Sequence, residues 1–122
     1  MATATLIATE LEQFTGTENW YRHGINPRIL YTDGARHLAE AAAAYWLLDQ
    51  IALANFYVQR VKVEEFQIWI LKWTKVDRSA LLTCGDGNGH TVYFKRVDGV
   101  DFPLPSVTLY CENGIIFLPS ER

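Results

Sequence analysis

The segment from Ala35 to Tyr57 constrains this chain more than any other, because it is filled with Ala and Leu, which lose little on entering a helix. Thr32 and Asp33 stand just before it, and either side chain can accept a hydrogen bond from an orphaned first-turn amide. The pattern predicts one long helix from about Ala35 to about Tyr57. Stepping about 100° per residue, Leu38, Ala42, Tyr45, Asp49, Ala52 and Phe56 share one stripe, with Ala41, Leu48 and Leu53 at its margins. That stripe is expected to face a core. The opposite side starts polar with Arg36, His37 and Glu40 and then turns apolar at Leu47, Ile51 and Ala54. A helix greasy on two sides needs two covers, which predicts self-association.

A shorter helical pattern, Leu6 to Phe14, precedes the break Thr15-Gly16-Thr17, and two extended pieces follow, Trp20 to His23 and Arg28 to Tyr31, joined by Gly24 and Asn26-Pro27 as a hairpin. Beyond the long helix the chain reads as strands. Phe66 to Thr74 alternates Phe66, Ile68 and Ile70 on one face with Trp69, Leu71 and Trp73 on the other, which predicts a central strand covered on both sides. Ala80 to Cys84 and His90 to Val97 flank Gly85-Asp-Gly-Asn-Gly89, while Val107 to Cys111 and Ile115 to Leu118 flank Asn113-Gly114. These are hairpins. The class is α+β, with one long helix packed on a twisted antiparallel sheet and its Leu38/Tyr45/Phe56 stripe set against Ile68, Ile70 and Leu82.

With 122 residues and no linker or repeat, the expectation is one domain over residues 1–122. Eleven Lys and Arg against 14 Asp and Glu leave a net charge of −3, which argues against a partner held by its phosphate backbone. No apolar run approaches the roughly 18 residues of a membrane span, and the start lacks the cationic and apolar regions of a secretory signal. Cytoplasm is the expected location. Cys84 and Cys111 stand outside any C-x-x-C spacing and read as small buried hydrophobes.

Asp49 is the most informative polar residue, since the wheel sets its carboxylate in the middle of the apolar stripe, where an unpaired charge would cost several kcal/mol. It needs a partner. One reading makes it the anchor of a pocket between helix and sheet, with Tyr45 one turn away and His23 near; the other makes it a paired structural carboxylate that fixes the helix. Trp20, Arg22 and His23 gather an aromatic ring, a guanidinium and an imidazole as binding patches do, with Trp20 and Arg22 on one side of the strand and Tyr21 and His23 on the other. No metal-ligand spacing joins His23, His37 and His90, the Asp86 loop lacks the glycine and glutamate of a calcium loop, and no nucleophile elbow, phosphate loop or dinucleotide fingerprint occurs. Neither a metal nor a cofactor is expected, and no catalytic residue is assigned. Lys72, Lys75, Arg78, Lys95 and Arg96, interleaved with Trp73, Tyr93 and Phe94, have the composition of a single-strand nucleic-acid platform, but edge cations also deter aggregation.

Phe14-Thr-Gly-Thr-Glu-Asn-Trp-Tyr-Arg-His23, Tyr31-Thr-Asp-Gly34 with Tyr45-Trp-Leu-Leu-Asp49, Leu82 through Gly89, and Asp101-Phe-Pro-Leu104 with Leu118-Pro-Ser-Glu121 together resemble a family of small bacterial proteins of unknown function. The resemblance covers nearly the whole chain. It implies a bacterial, cytosolic, single-domain protein whose helix-on-sheet fold is cystatin-like or nuclear-transport-factor-like, and it implies no activity. Gly85 stands where that family more often carries an acid, which weakens any ligand role for the Asp86 loop. The function expected is a non-catalytic, self-associating binding or interaction protein, a homodimer through the second greasy face of the helix or the Trp69/Leu71/Trp73 side of the sheet. The alternative is a small-molecule pocket or cryptic enzyme anchored by Asp49; a protein partner fits the first reading and a small molecule the second.

Overall fold

The computed structural model describes residues 4–16 and 18–122, so Met1 to Thr3 and Thr17 of the predicted break lie outside the described residues. The elements are α1 (Ala4–Glu12), β1 (Trp20–Arg22), β2 (Leu30–Thr32), α2 (Asp33–Ala41), α3 (Tyr45–Tyr57), α4 (Gln59–Lys62), β3 (Phe66–Thr74), β4 (Ser79–Gly85), β5 (Thr91–Asp98), β6 (Ser106–Glu112) and β7 (Ile115–Phe117), with a 3₁₀ turn at Pro119–Glu121. The strands form one seven-stranded sheet in the order β1-β2-β7-β6-β3-β4-β5. The three predicted hairpins are present: β1 with β2, β4 with β5, and β6 with β7, the last turning through Asn113 and Gly114 at φ 51° and 82°. The sheet is mixed, not wholly antiparallel. β2 runs parallel to β7, because the chain leaves β2 directly into α2 and returns to its side only after β3 to β6 are laid down.

The expected single long helix is two helices. Ala43 adopts the left-handed conformation at φ 51°, the Ala44 amide donates to the Ala39 carbonyl at 2.8 Å and the Ala43 amide donates to that of Glu40 at 3.3 Å. This bond pair closes α2 as a Schellman motif. Nothing in the sequence marks it, since that position favours glycine and an alanine stands there instead. The break re-phases the chain. In α2, Ala35, Leu38 and Ala39 are buried as the wheel expects, but in α3 the core side is Leu47, Leu48, Ile51, Ala52 and Ala54. The predicted stripe divides from that point: Ala52 stays buried, while Tyr45 and Phe56 are exposed and Asp49 is part-exposed. Turning Asp49 outward spares the cost of burying its carboxylate.

Thr32 caps α2 as predicted, accepting from the Ala35 amide at 3.2 Å. Glu121 closes the same end from the far side of the sequence. Its carboxylate accepts from the Thr32 hydroxyl at 2.7 Å, the Gly34 amide at 3.2 Å and the Leu118 amide at 2.8 Å. Gly34 lies against this carboxylate and the Leu118 side chain so closely that a Cβ there would collide with both.

The core lies between the helices and one face of the sheet, where Trp69 and Leu71 of β3 meet Leu82 and Cys84 of β4 and Leu109 and Cys111 of β6. The helices therefore pack on the Trp69/Leu71/Trp73 side, and the prediction that they pack on Ile68 and Ile70 is reversed. Gln67 decides the matter: 2% exposed, it donates to the Asn55 side chain and to the carbonyls of Val61 and Glu64, and accepts from Asn55 and the Trp69 indole. Its side chain finds these partners only beneath α3 and α4.

Replacing Ala43 with Gly removes the Cβ penalty of the left-handed turn and is expected to stabilise the fold by about 1 kcal/mol in urea denaturation. A loss of stability would mean that α2 and α3 are joined otherwise. Burial pushes the Cys84 and Cys111 thiols from an ordinary value of 9.0 up to about 12. Since the folded value lies above the unfolded one, the stability tied to these thiols is whole below pH 9 and is lost as the pH rises toward 12. Alkylation at pH 8 should leave both thiols intact in the native protein and modify both in denaturant, and rapid native labelling would refute their burial.

Candidate functional site

The residues singled out in sequence fall into three places. β1 alternates as expected, so Trp20 and Arg22 point away from the helices while Tyr21 and His23 point toward them. His23 and Asp49 meet. The buried imidazole, 5% exposed, accepts at Nδ1 from the amides of Ile25 and Asn26 at 3.2 and 3.1 Å, so its proton sits on Nε2 and is donated to Asp49 Oδ1 at 2.7 Å. The Asp49 side chain is 44% exposed. Asn26 strengthens the same join by donating from Nδ2 to the Ala52 carbonyl at 2.9 Å. The pair therefore fastens the β1–β2 loop to α3. Both ring nitrogens are engaged within the chain, which leaves neither to accept a proton from a substrate.

Tyr45 is elsewhere. Its hydroxyl donates to Glu40 at 3.1 Å across the α2–α3 break, and partial desolvation of that hydroxyl, together with the bond, raises its pKa. Arg36 donates to the same carboxylate at 3.0 Å and lies 4.6 Å over the Tyr21 ring. Tyr21 in turn donates to Asp33 at 2.8 Å, and this bond, with those from Asn19, holds the Asp33 carboxyl below its ordinary range. Tyr21, Asp33, Arg36 and Glu40, with Phe14 and His37, line an open cleft of about 720 Å³. Asp33, Arg36, Glu40 and His37 all have partners within the chain, His37 being bound to Glu10 at 2.9 Å, and Glu18 lines the cleft beside them. Sequence spacing could not reveal this network, because it joins β1, α1 and α2 through tertiary contact. Arg22 donates to the Pro27 carbonyl, while Trp20 lines a smaller cleft of about 310 Å³ with Phe117 and Arg122. The Asp86 loop closes on itself, its carboxylate accepting from the amides of Asn88 and His90 and facing the His90 ring. Among the described residues no group of three or more His, Cys, Asp or Glu is placed to hold a metal ion.

The sheet's other face is the least expected surface. Strand register arranges it in rows across β6, β3, β4 and β5: Ser106, Lys72, Leu81 and Arg96; then Thr108, Ile70, Thr83 and Phe94; then Tyr110, Ile68, Gly85 and Thr91; and at the far end Glu112 and Phe66. Among the described residues no helix packs over it. Phe94 is 70% exposed and Leu81 42%, and Phe66, Ile68, Ile70 and Tyr110 are each part-exposed. An antiparallel sheet with one face in water ordinarily turns polar side chains outward, and here the middle of β3 turns out two isoleucines. Phe66, Tyr110 and Phe117 pack edge to face in series at 5.2 and 5.7 Å, and the Arg122 guanidinium sits 4.4 Å over the Phe66 ring. The signal was in the sequence as two apolar faces of one strand; which face stays open was not.

A family model of unknown function, DUF6876, matches residues 5–122. The chain belongs to this family. No curated protein and no solved structure gives a significant match. Membership in DUF6876 spans every element from α1 to the C-terminal turn and assigns no activity to them, so the function must be argued from the geometry.

His23→Ala would leave the Ile25 and Asn26 amides without an acceptor beside an unpaired carboxylate, and is expected to cost about 2–3 kcal/mol in urea denaturation. Asp49→Asn keeps an oxygen facing Nε2 at a part-exposed position and is expected to cost less than about 1 kcal/mol. Equal costs would show that the join rests on the Nε2–carboxylate hydrogen bond and not on the imidazole's hold on the loop.

Proposed function

We propose that this DUF6876 chain is a non-catalytic binding or interaction protein of the bacterial cytoplasm that works as a homo-oligomer, joined through the uncovered face of its sheet. One observation carries this reading: Ile68, Ile70, Leu81, Phe94, Phe66 and Tyr110 share a face over which none of the described helices lies. Contiguous apolar surface of this kind marks an interaction site. Both contact surfaces expected from the sequence, the Leu47/Ile51/Ala54 side of the helix and the Trp69/Leu71/Trp73 side of the sheet, are core; the same logic, moved to the other face of β3, supports the proposal. A cystatin-like or nuclear-transport-factor-like shape belongs to it, since the helices cover one face of the sheet and leave the other for partners.

A nucleic-acid platform fits the same face less well. Arg122 already occupies the Phe66 ring and lies 5.7 Å from that of Tyr110, and Arg96 is tied to Asp77 and Asp98. A small-molecule pocket at Asp49 lacks support too, because the imidazole that meets it is saturated within the chain.

Size-exclusion chromatography with light scattering at tens of micromolar should return a mass above that of one chain. Ile70→Arg should return the monomer with an unchanged far-ultraviolet circular dichroism spectrum, since a buried apolar contact becomes a desolvated charge. A monomeric wild type would remove the proposal.

A further inference from the structure

We infer that the cleft between the β1–β2 loop, the end of α3, the α4–β3 link and the β6–β7 turn binds a short peptide by its two charged ends. The cleft lies on the helix side of the sheet, with buried Gln67 at its floor, and owes nothing to the open face. Three hydrogen bonds fix its walls. Asn26 donates to the Ala52 carbonyl, the Leu30 amide to the Gly114 carbonyl at 2.8 Å, and the Asn113 amide to the Glu65 carbonyl at 2.9 Å. Gly114, at φ 82°, lies so close to the Arg28 carbonyl that a Cβ there would collide with it. The cleft is therefore formed before a ligand arrives, which lowers the cost of binding. Its volume of about 520 Å³ is that of a small-ligand site, and a rounded space of that volume is about 10 Å across, the length of roughly three extended residues.

The lining charges decide the ligand class. The β1–β2 wall carries Arg28 alone, whereas the α4–β3 wall carries Lys62 with Glu64 and Glu65, so the first is cationic and the second anionic on balance. None of these four side chains has a hydrogen bond or an ion pair among the described residues. A purely anionic ligand would sit beside Glu64 and Glu65, and a purely cationic one beside Arg28. A peptide carries both signs: its carboxylate fits the forked donors of Arg28, and its ammonium the two carboxylates. The Asn113 side-chain amide is unengaged among the described residues, and Asn55 Oδ1 accepts from Gln67 alone, so donor and acceptor capacity remain for a peptide group. Exposed Phe56 lines the same space, and exposed Ile25 and Val63 adjoin Asn26 and Lys62 in the chain, so the preferred side chains are apolar.

The test is isothermal titration calorimetry of the full chain with trileucine, its N-acetylated form and its C-terminal amide. Unblocked trileucine should bind with a Kd below about 1 mM, and each blocked form about tenfold more weakly, because each lacks one charge-assisted bond. Arg28→Ala should weaken trileucine about tenfold and leave the affinity for the amide unchanged. Glu64→Gln together with Glu65→Gln should weaken trileucine likewise without weakening the N-acetylated form. Circular dichroism checks that the variants fold, and the three peptides separate the outcomes on the wild type alone. No binding of trileucine at about 1 mM, blocked forms that bind as trileucine does, or inorganic phosphate bound in its place overturns the inference. A monomeric wild type that binds the three peptides in this order leaves it standing.

Discussion

The buried amide of Gln67 holds the two layers of this protein together. From one strand position it reaches the Asn55 side chain on α3, the Val61 carbonyl on α4, the Glu64 carbonyl beyond it and the Trp69 indole on its own strand. Each of these groups would cost about 1–3 kcal/mol if buried alone, and among the described residues no buried side-chain nitrogen or oxygen is left without a partner. Because side chains alternate along a strand, placing Gln67 beneath the helices places Trp69 and Leu71 there as well and sends Phe66, Ile68 and Ile70 to the opposite face. The open apolar surface is a consequence of that one choice.

A second consequence concerns the helices. An unbroken rod from Ala35 to Tyr57 would have carried Asp49 toward the sheet, and the chain instead spends a left-handed alanine at position 43 to rotate α3. The carboxylate then stays within reach of water while serving the buried His23, whose other nitrogen organises the β1–β2 loop. What looked like a poised acid is a fastening between loop and helix. The same pattern recurs at the far end of the chain, where Glu121 satisfies the first turn of α2 across a separation of nearly ninety residues in sequence. At both of these joins the polar groups are used up in holding elements together.

Much of the architecture was legible beforehand. The hairpin turns at Gly85 to Gly89 and Asn113-Gly114 carry their own backbone requirement, the Thr32 cap its own acceptor, and β3 its alternation, so each was local information. His23 was within the set of neighbours considered for Asp49, but the burial that made a partner necessary is absent, since the carboxylate is part-exposed, and the break at Ala43 turns Tyr45 toward Glu40. The break itself was hidden. Alanine is the best helix former, and a composition that favours continuation gives no sign of an interruption imposed by packing.

Sequence alone therefore determined the elements that follow from neighbours along the chain: where strands alternate, where turns need glycine or asparagine, and that two apolar faces on β3 and two on the helix would each need cover. Tertiary structure alone decided which face received it. The helices bind whichever side of the sheet satisfies Gln67, and a period of two makes both sides of β3 equally apolar to a reader of sequence, so the face left uncovered is settled by one buried hydrogen-bond network and not by hydrophobicity.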